Sequence, residues 1–380
     1  MDLRLASLTL DDFRNYRHFE LPDIGDLTIF VGHNAVGKTN ILEGIQLLTA
    51  ATSFRHPTIG QMVRAGCTVA HLKAVETDGN RLVNLSLGME AGKRRYLING
   101  KAHAAGDVKG RLPAVTFTPD DLQLAKRSSG VKRDALDELG SQLTGSYDVV
   151  KRDYEKVIRY KNRLLKEDAP DALVQSINET LVTCGSQLFC YRTALFRRLL
   201  ERLGDYYATL SLGHEKLSAR YEASWDASRE TLMKNDVSSG TMYSGITRDD
   251  VRELLSRALD EALPAERRRG RSVIGPHADQ ITLLLDGADV ADFASQGQQR
   301  SVVLAWKLAE VGVVEESLHQ HPVLLLDDVM SELDAGRRDA LVSFVQNDIQ
   351  TFITATNLEF LNSDLIEKAR VVRLPIEGTV

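Results

Sequence analysis

The sequence predicts an α/β fold in which both ends of the chain contribute to one domain and a mostly helical segment is inserted between them. Near the N-terminus, a β-rich run at 27–31 leads through a glycine-bearing loop into a segment, 41–48, with apolar residues at helical spacing. Strand character returns near the C-terminus, at 323–328 and 351–356, beside further helical patterns. A P-loop-type α/β domain with a mixed sheet and flanking helices is therefore expected.

The pattern of the chain changes from strands to helices near residue 121. Short strand patterns over 67–100 are separated by the turn signals Asp78-Gly79 and Asn99-Gly100. Beyond residue 121, two long helical stretches are separated by a break at Pro170, which predicts an antiparallel helix hairpin. We therefore predict three parts, of which the first and third form one domain: 1–120, 121–270 and 271–380.

Composition excludes several classes of protein. With 43% hydrophobic and 26% charged residues, the chain is neither disordered nor fibrous. It has no apolar stretch of the roughly 18 residues that cross a bilayer, and acidic residues come too early for a signal peptide. Three cysteines without a CxxC pair indicate a reduced, cytoplasmic compartment. The net charge of -6 argues against a histone-like packager but leaves room for a local basic stripe that binds nucleic acid.

The strongest motif is a P-loop, or Walker A sequence. In such loops, backbone N–H groups wrap phosphates, the lysine neutralises their charge and the threonine hydroxyl ligates Mg²⁺. The helix that follows also directs its positive end toward the anion. A glycine-rich turn without a ligand is the alternative, but the flanking strand and helix favour nucleotide binding. The predicted nucleotide-binding residues are Gly32, His33, Asn34, Ala35, Val36, Gly37, Lys38, Thr39 and Asn40.

A second motif has the form of a Walker B strand, in which an apolar run ends in two carboxylates. Asp327 is predicted to hold Mg²⁺ together with Thr39, and Asp328 to orient an attacking water as general base. Lys38 is the second predicted catalytic residue because it neutralises the β/γ charge. The alternative is a core strand that ends in a solvated acidic turn.

Two further segments match the signature and D-loop motifs that accompany Walker A and Walker B in ABC-type ATPases. A Ser-x-Gly-Gln signature precedes the Walker B strand, and in ABC-type ATPases its helix N-terminus donates to a nucleotide held by the other subunit. After Walker B, Ser331 and Asp334 resemble the D-loop of the same class. On its own, the signature could be an ordinary helix cap. Its residues are Ser295, Gln296, Gly297 and Gln298.

Nearly the whole chain resembles the RecF family of bacterial recombination mediators. The family opening is visible at 8–21 in LTLDDFRNYRHFEL, and a Gly-Pro-His-x-Asp element is visible at 275–279. SQGQQR at 295–300 and LLLDDVMSELD at 324–334 complete the resemblance, and the Gly-Pro-His-x-Asp element beside SQGQQR is more specific to the family than the P-loop is. On this resemblance, 1–120 and 271–380 correspond to the ATPase head and 121–270 to a helical arm.

Several positions depart from the family pattern. Ala35 replaces a common glycine, and a small residue is expected to fit there. The segment 131–140 offers Lys132 and Arg133 where the family has an arginine pair. Thr354 stands near the place where many ABC ATPases use a switch histidine, which predicts slow hydrolysis. Gln123 is the candidate for the Q-loop glutamine.

The resemblance implies a cofactor, partners and a cellular role. It implies ATP with Mg²⁺, and an ATP-dependent homodimer in which each bound ATP is closed by the partner's signature. It also implies binding to duplex and gapped DNA and to single-strand/duplex junctions, with RecR and RecO as partners and RecA loaded at gaps. DNA repair, DNA replication and the SOS response would be the setting, and no membrane is involved.

A basic segment at 151–166, with seven basic and two acidic residues, is the sequence signal for DNA. Clustered lysine and arginine contact phosphates without base specificity. The candidate contacts are Lys151, Arg152, Arg159, Lys161 and Arg163, with a second stripe at Arg192, Arg197, Arg198 and Arg202. A solvated helix face is the alternative reading of such a charge run.

Other functions remain open from the sequence alone. A head-only relative of SMC or Rad50 proteins is disfavoured because the chain lacks long heptad-patterned segments. A transporter ATPase subunit is disfavoured by the Gly-Pro-His-x-Asp element. A nucleotide-gated scaffold that binds partners but no DNA is the alternative from a different class.

Overall fold

The computed structural model describes residues 3–126, 129–211, 213–225, 243, 245–345, 348–361 and 363–376. The chain divides into two compact units, one formed by Met1–Asp121 with Glu310–Val380 and the other by Leu122–Ala309. The three-part division at 120 and 270 stays a prediction about functional parts. Within the described ranges, no helix combines the length and apolar character that would let it span a membrane.

The strands are numbered in chain order. Their bounds are β1 Arg4–Phe13, β2 Tyr16–Leu21, β3 Leu27–Val31, β4 Val69–Thr77, β5 Leu82–Glu90, β6 Lys93–Ile98, β7 Lys101–His103, β8 Ala114–Phe117, β9 Leu217–Glu222, β10 Gln280–Leu285, β11 Ala288–Asp289, β12 Val323–Asp327, β13 Thr351–Ala355 and β14 Arg370–Arg373.

The α-helices are numbered in the same way. Their bounds are α1 Lys38–Thr49, α2 Ile59–Met62, α3 Ala105–Val108, α4 Gln123–Lys126, α5 Ser129–Leu143, α6 Gly145–Lys166, α7 Asp171–Leu210, α8 Arg248–Arg269, α9 Val290–Phe293, α10 Gln296–Leu318, α11 Ala335–Val345 and α12 Ser363–Lys368. Helix α10 begins in the second unit and ends in the first.

The first unit contains two sheets with helix α1 packed against strands of both. One sheet is antiparallel, in the order β2-β1-β4-β5-β6-β7, and the other is parallel, in the order β14-β3-β13-β12-β8. Strands β3 and β12 are buried along their whole length, as continuous apolar runs in parallel sheets should be. These features confirm the predicted α/β fold class, with the strands divided between two sheets.

Helix α1 is buried on almost every side because it has a sheet on either side of it. Buried residues of α1, including Ile41, Leu42, Ile45 and Leu48, join one core cluster with strands of both sheets. A helix that is buried on almost every side requires such an environment. The position of α1 fixes the loop that precedes it, and that loop is the predicted P-loop.

In the second unit, α6 and α7 form the predicted antiparallel hairpin. The ring of Tyr147 stacks on that of Tyr191 with centroids 5.8 Å apart, while near the turn Leu164 and Val174 share a small apolar cluster. Pro170 is the N-cap of α7 and ends the connecting turn. Helix α8 packs against α7, and strands β11, β10 and β9 form an antiparallel sheet in the same unit.

Candidate nucleotide-binding site

The P-loop runs from the end of β3 to the start of α1, and its shape depends on two residues with positive φ. Gly37, the N-cap of α1, has a φ of 110°, a conformation that L side chains rarely adopt. A Cβ added there would also lie 2.7 Å from side-chain atoms of Asn15 and Tyr16. Ala35 has a φ of 65°, so this position, where the family commonly has glycine, does use the left-handed region.

Lys38 folds back over the loop that precedes it. Its ammonium donates to the carbonyl oxygens of Gly32 and His33 at 2.6 and 3.0 Å. Burial lowers the pKa of Lys38, and the nearby carboxylates of Asp328 and Asp327 oppose that change. The charge is therefore held inside the loop, where it can neutralise a bound phosphate.

Strand β12 brings the Walker B carboxylate to the P-loop. The Thr39 hydroxyl donates to Oδ1 of Asp327 at 2.8 Å, and the Thr354 hydroxyl donates to the same oxygen at 2.8 Å. The backbone N–H of Asp328 in turn donates to the Thr354 hydroxyl oxygen at 2.9 Å. The predicted metal pair, Thr39 and Asp327, thus lies together although the two residues are far apart in sequence.

These oxygens suit a magnesium ion. Mg²⁺ is usually bound by one or two protein oxygens, with water and substrate phosphates completing an octahedron. Among the described residues, no cluster of three or more His, Cys, Asp or Glu side chains could hold a metal unaided. Thr39 and Asp327 supply one hydroxyl oxygen and one carboxylate, a donor set that fits an ion whose other ligands are water and the phosphates of a nucleotide.

Asp328 has an unusual backbone and an unusual carboxyl group. Its φ of 54° places it in the left-handed region, where a non-glycine residue is strained. Burial raises the pKa of its side chain, as do the charges of Asp327 and Glu332, while Lys38 lowers it. A carboxylate with a raised pKa accepts a proton from water more readily, which suits the predicted general base.

The sequence did not predict a set of side-chain hydrogen bonds that holds the P-loop. The Asn15 side chain donates to the Val36 carbonyl at 3.0 Å and accepts from the Asn40 side chain at 2.7 Å. Arg55 donates to the Asn40 oxygen at 2.7 Å. Asn15 lies in the turn between β1 and β2, outside the P-loop motif. The resemblance of 8–21 to the family opening was the sequence signal for this segment.

A buried carboxylate in α1 anchors the same region. Both oxygens of Glu43 accept from the Arg14 guanidinium, at 2.7 and 2.8 Å, and Ser53 donates to one of them at 2.7 Å. The Glu43 side chain is fully buried, so this two-pronged pairing offsets the cost of removing its charge from water. The turn after β1 is thereby tied to the helix that carries Thr39.

The signature segment forms a helix cap. The Ser295 hydroxyl accepts from the Gln298 N–H at 3.3 Å, and Oε1 of Gln298 accepts from the Ser295 N–H at 2.7 Å. Ser295 and Gln296 are exposed, and Gly297 is half-buried. The structure therefore contains the helix cap that was the alternative interpretation of this segment. Contact of the signature with a second subunit stays a prediction.

The remaining predicted motif residues lie in defined positions. The Ser331 hydroxyl donates to the Asp328 carbonyl at 2.9 Å, and Asp334 accepts from the Arg337 N–H at 3.0 Å at the start of α11. Gln123 begins α4 and is half-buried, in the unit that does not contain the P-loop. The D-loop and Q-loop roles stay predictions.

The Gly-Pro-His-x-Asp element at 275–279 belongs to a buried network in the second unit. Asp279 is fully buried and accepts from the Tyr221 hydroxyl at 2.6 Å and the Ser224 N–H at 2.9 Å. Burial raises the pKa of Asp279 to about 6. The Tyr154 hydroxyl lies 2.7 Å from Nδ1 of His277, and burial lowers the pKa of that histidine to about 4. His277 is thus a hydrogen-bonding residue of the unit's interior.

Two of the basic residues predicted to contact DNA are buried, so the prediction is wrong for them. The Lys161 side chain is fully buried and its ammonium lies 2.6 Å from Glu266, so it cannot reach a phosphate. Arg192 is 2% exposed and pairs with Asp137 at 2.9 Å. Lys151 is 24% exposed and lies near Glu155. The other predicted contacts on α6, Arg152, Arg159 and Arg163, are exposed.

Comparison with known proteins defines the family. The chain matches the RecF/RecN/SMC N terminal domain over residues 4–373. The DNA replication and repair protein RecF of Gloeobacter violaceus is 33% identical over 377 residues, covering 97% of this chain and 96% of the relative. Its counterpart in Symbiobacterium thermophilum is 36% identical over 362 residues, covering 94% and 92%.

Solved structures give the same result. The recombination mediator protein RecF-ATP in the RecFOR pathway superposes with a TM-score of 0.83 at 27% identity, covering 96% of this chain and 93% of the other. The RecF-ATPrS structure gives a TM-score of 0.85 at 26% identity, covering 95% and 94%. The Smc head domain of Pyrococcus furiosus, at 16% identity, 98% and 93% coverage and a TM-score of 0.52, shares the fold alone.

The fold, with its P-loop joined to an acidic strand end, defines an ABC-type ATPase fold of the RecF/RecN/SMC class. Full-length similarity to curated relatives narrows that class. The chain belongs to the RecF family. The predicted resemblance is thereby confirmed, in preference to the SMC-head and transporter alternatives.

Proposed function

We propose that this protein is an ATP-dependent DNA clamp of recombinational repair and replication restart. The observation that carries the proposal is the 2.8 Å hydrogen bond between Thr39 and Asp327, which joins the two halves of a nucleotide site. Relatives named for DNA replication and repair, and a relative whose structure is named RecF-ATP, support it. Weak, DNA-stimulated ATP hydrolysis would serve as a switch that resets the clamp.

In this proposal, different residues of the site bind the nucleotide and activate the attacking water. The loop amides and Lys38 hold the β- and γ-phosphates, and Thr39 with Asp327 would hold Mg²⁺, which screens the phosphate charge. Asp328 orients and deprotonates the attacking water. Thr354 stands near the place of the switch histidine. Its hydroxyl donates a hydrogen bond to Asp327 and accepts one from the Asp328 N–H, and it has no imidazole to take over the role of that histidine. Slow turnover follows.

The proposed dimer forms when ATP completes a composite site. Ser295 and Gly297 at the N-terminus of α10 would donate to the γ-phosphate held by the partner, as backbone groups at a helix start do for anions. Nucleotide affinity and dimerisation are then coupled, because the second half of the site exists only in the dimer. RecR and RecO binding, and delivery of RecA to gapped DNA, belong to the same proposal.

The proposed clamp is tested by molecular mass in solution. We expect a monomer without nucleotide and a dimer with ATP and Mg²⁺. Asp328→Asn should prolong the dimer because it cannot deprotonate the water, and gapped DNA should favour the dimer further. Analytical ultracentrifugation of both proteins under each condition measures this. A mass that nucleotide does not change would rule out the clamp.

The exposed basic residues of α6 support the DNA-binding part of the proposal. They follow one another at intervals of four and three residues, which places them on one face of the helix. Lys156 and Arg159 are 69% and 68% exposed, although Lys156 pairs with Asp153, and Glu155 lies near both Arg159 and Lys151. We call Arg152, Lys156, Arg159, Arg163 and Lys166 the α6 stripe.

Neutralising part of the α6 stripe should weaken DNA binding and flatten its dependence on salt. For Lys156→Gln/Arg159→Gln we expect the slope of log affinity against log salt to fall by about 1.8, since each phosphate contact contributes about 0.9. The matched control is Arg252→Gln/Arg257→Gln, on the exposed surface of α8. Fluorescence anisotropy with gapped duplex and ATP measures the slopes. Equal slopes for the stripe variant and the wild type would contradict the assignment.

The alternative function, a nucleotide-gated scaffold without DNA binding, is separated by the same titration. A clamp needs ATP to bind DNA and loses affinity steeply as salt rises, whereas a scaffold shows neither effect. The wild-type curve alone therefore distinguishes the two functions.

A further inference from the structure

The side chain of Gln298 in the signature turn is held at both ends. Its Nε2 donates to Oε1 of Glu215 at 2.6 Å, while its Oε1 accepts from the Ser295 N–H at 2.7 Å. A carboxylate can only accept hydrogen bonds, so Glu215 fixes which end of the amide faces Ser295. With the amide reversed, two acceptors would face each other and the Ser295 N–H would lose its partner.

The second oxygen of Glu215 connects this turn to the long helix of the hairpin. Oε2 accepts from the Tyr207 hydroxyl at 2.6 Å, and Tyr207 is a buried residue in the last turn of α7. The segment that carries Glu215 is itself fixed, because Lys216 and Asp286 exchange two hydrogen bonds, at 2.9 and 3.0 Å. Glu215 therefore bridges α7 and the start of α10 inside one compact unit.

We propose that Glu215 is the positioning residue of the signature turn and makes its geometry depend on the end of α7. This inference rests on the proposed function, in which Ser295 and Gly297 contact the partner's nucleotide. Hydrogen bonds to a charged acceptor are about twice as strong as neutral ones, so the bridge holds the turn more firmly than the cap alone. A displacement of the end of α7 would pull on Glu215 and change the direction of the Ser295 hydroxyl.

The first test measures the turn itself in the nucleotide-free protein. Glu215→Ala should speed amide hydrogen exchange at 295–299, and Tyr207→Phe should do so to a smaller degree. His214→Ala, an exposed neighbour in the same loop, is the matched control and should change nothing. Thermal unfolding of all three variants verifies that the fold is kept. Unchanged exchange at 295–299 in Glu215→Ala would overturn the inference, whatever the protein does with ATP.

The second test measures the effect on dimerisation. Glu215→Ala should weaken ATP-dependent dimerisation about tenfold or more, the loss expected when a charge-assisted hydrogen bond is removed. ATP affinity of the dilute protomer should stay unchanged. Glu215→Gln, whose oxygen can still accept from Gln298, should recover most of the loss. Wild-type dimerisation in Glu215→Ala would overturn the inference, whereas a wild type that does not dimerise would overturn the proposed function and leave the exchange measurement to judge Glu215.

Discussion

Replacing Ser295 with arginine should abolish ATP-dependent dimerisation and leave ATP binding by the protomer intact. Ser295 is exposed at the N-terminus of α10, and its hydroxyl accepts from the Gln298 N–H. Arginine cannot accept that bond, and in the proposed dimer its long side chain would occupy the space of the partner's γ-phosphate. The P-loop itself is untouched, because Lys38 and Thr39 belong to the other compact unit.

A matched control separates loss of the interface from loss of the helix cap. Thr247 is the exposed N-cap of α8, and its hydroxyl forms a capping box with Asp250. Thr247→Arg therefore removes a comparable cap, at a cost of about 1 kcal/mol, and adds the same charge in the same unit. Its dimerisation should match that of the wild type.

Two measurements decide the Ser295 prediction. Titration calorimetry at a protein concentration below the dimerisation range gives the ATP affinity of the protomer. Ultracentrifugation with ATP and Mg²⁺ then gives the mass of Ser295→Arg and Thr247→Arg. If Ser295→Arg loses ATP binding itself, the composite-site arrangement is wrong, since the signature would then act within its own chain.

The sequence was sufficient to pair distant parts of the candidate nucleotide site. A P-loop and an apolar strand ending in carboxylates predict their own neighbourhood, because parallel strands place their carboxyl ends along one edge of a sheet. The hydrogen bonds that Asn15 and Arg55 form with Asn40 beside the P-loop could not be predicted in this way. Neither residue lies in a phosphate-binding motif, and their meeting at Asn40 depends on how the turn after β1 packs.

Burial of basic residues was the other feature that the sequence analysis missed. Counting charges along 151–166 treats every lysine and arginine as exposed. A periodicity of seven would have separated them, because Tyr147, Tyr154 and Lys161 follow one another at that spacing and are all buried. The position of Glu266, which compensates Lys161, lies far away in sequence and was not predictable.

The buried pair of Arg192 and Asp137 leads to the largest expected effect on stability. The guanidinium donates to both Asp137 oxygens at 3.0 and 2.9 Å, and a third nitrogen donates to the Pro276 carbonyl at 2.6 Å. Burial would raise the pKa of Asp137, but the charge and hydrogen bonds of Arg192, together with a bond from Tyr147, hold it below its ordinary value. The carboxylate is thus kept ionised in the interior by its partner.

Arg192→Met should lower the free energy of unfolding by about 3–5 kcal/mol, because it leaves an uncompensated buried charge. The control is Arg257→Met, which removes an exposed arginine from its pair with Glu253 and should cost about 1 kcal/mol or less. Urea denaturation near neutral pH compares the two. Equal losses in Arg192→Met and Arg257→Met would contradict the assigned burial.

The double variant Asp137→Leu/Arg192→Met tests why the single replacement is costly. Removing both charges eliminates the uncompensated carboxylate, so the double variant should recover much of the loss. Recovery cannot be complete, because the Pro276 carbonyl and the Tyr147 hydroxyl each lose a partner. Pro276 belongs to the family's Gly-Pro-His-x-Asp element, so the pair ties that element to α5 and α7. On this argument the element serves the fold of the second unit, and ATP binding by the P-loop should survive in every variant that still folds.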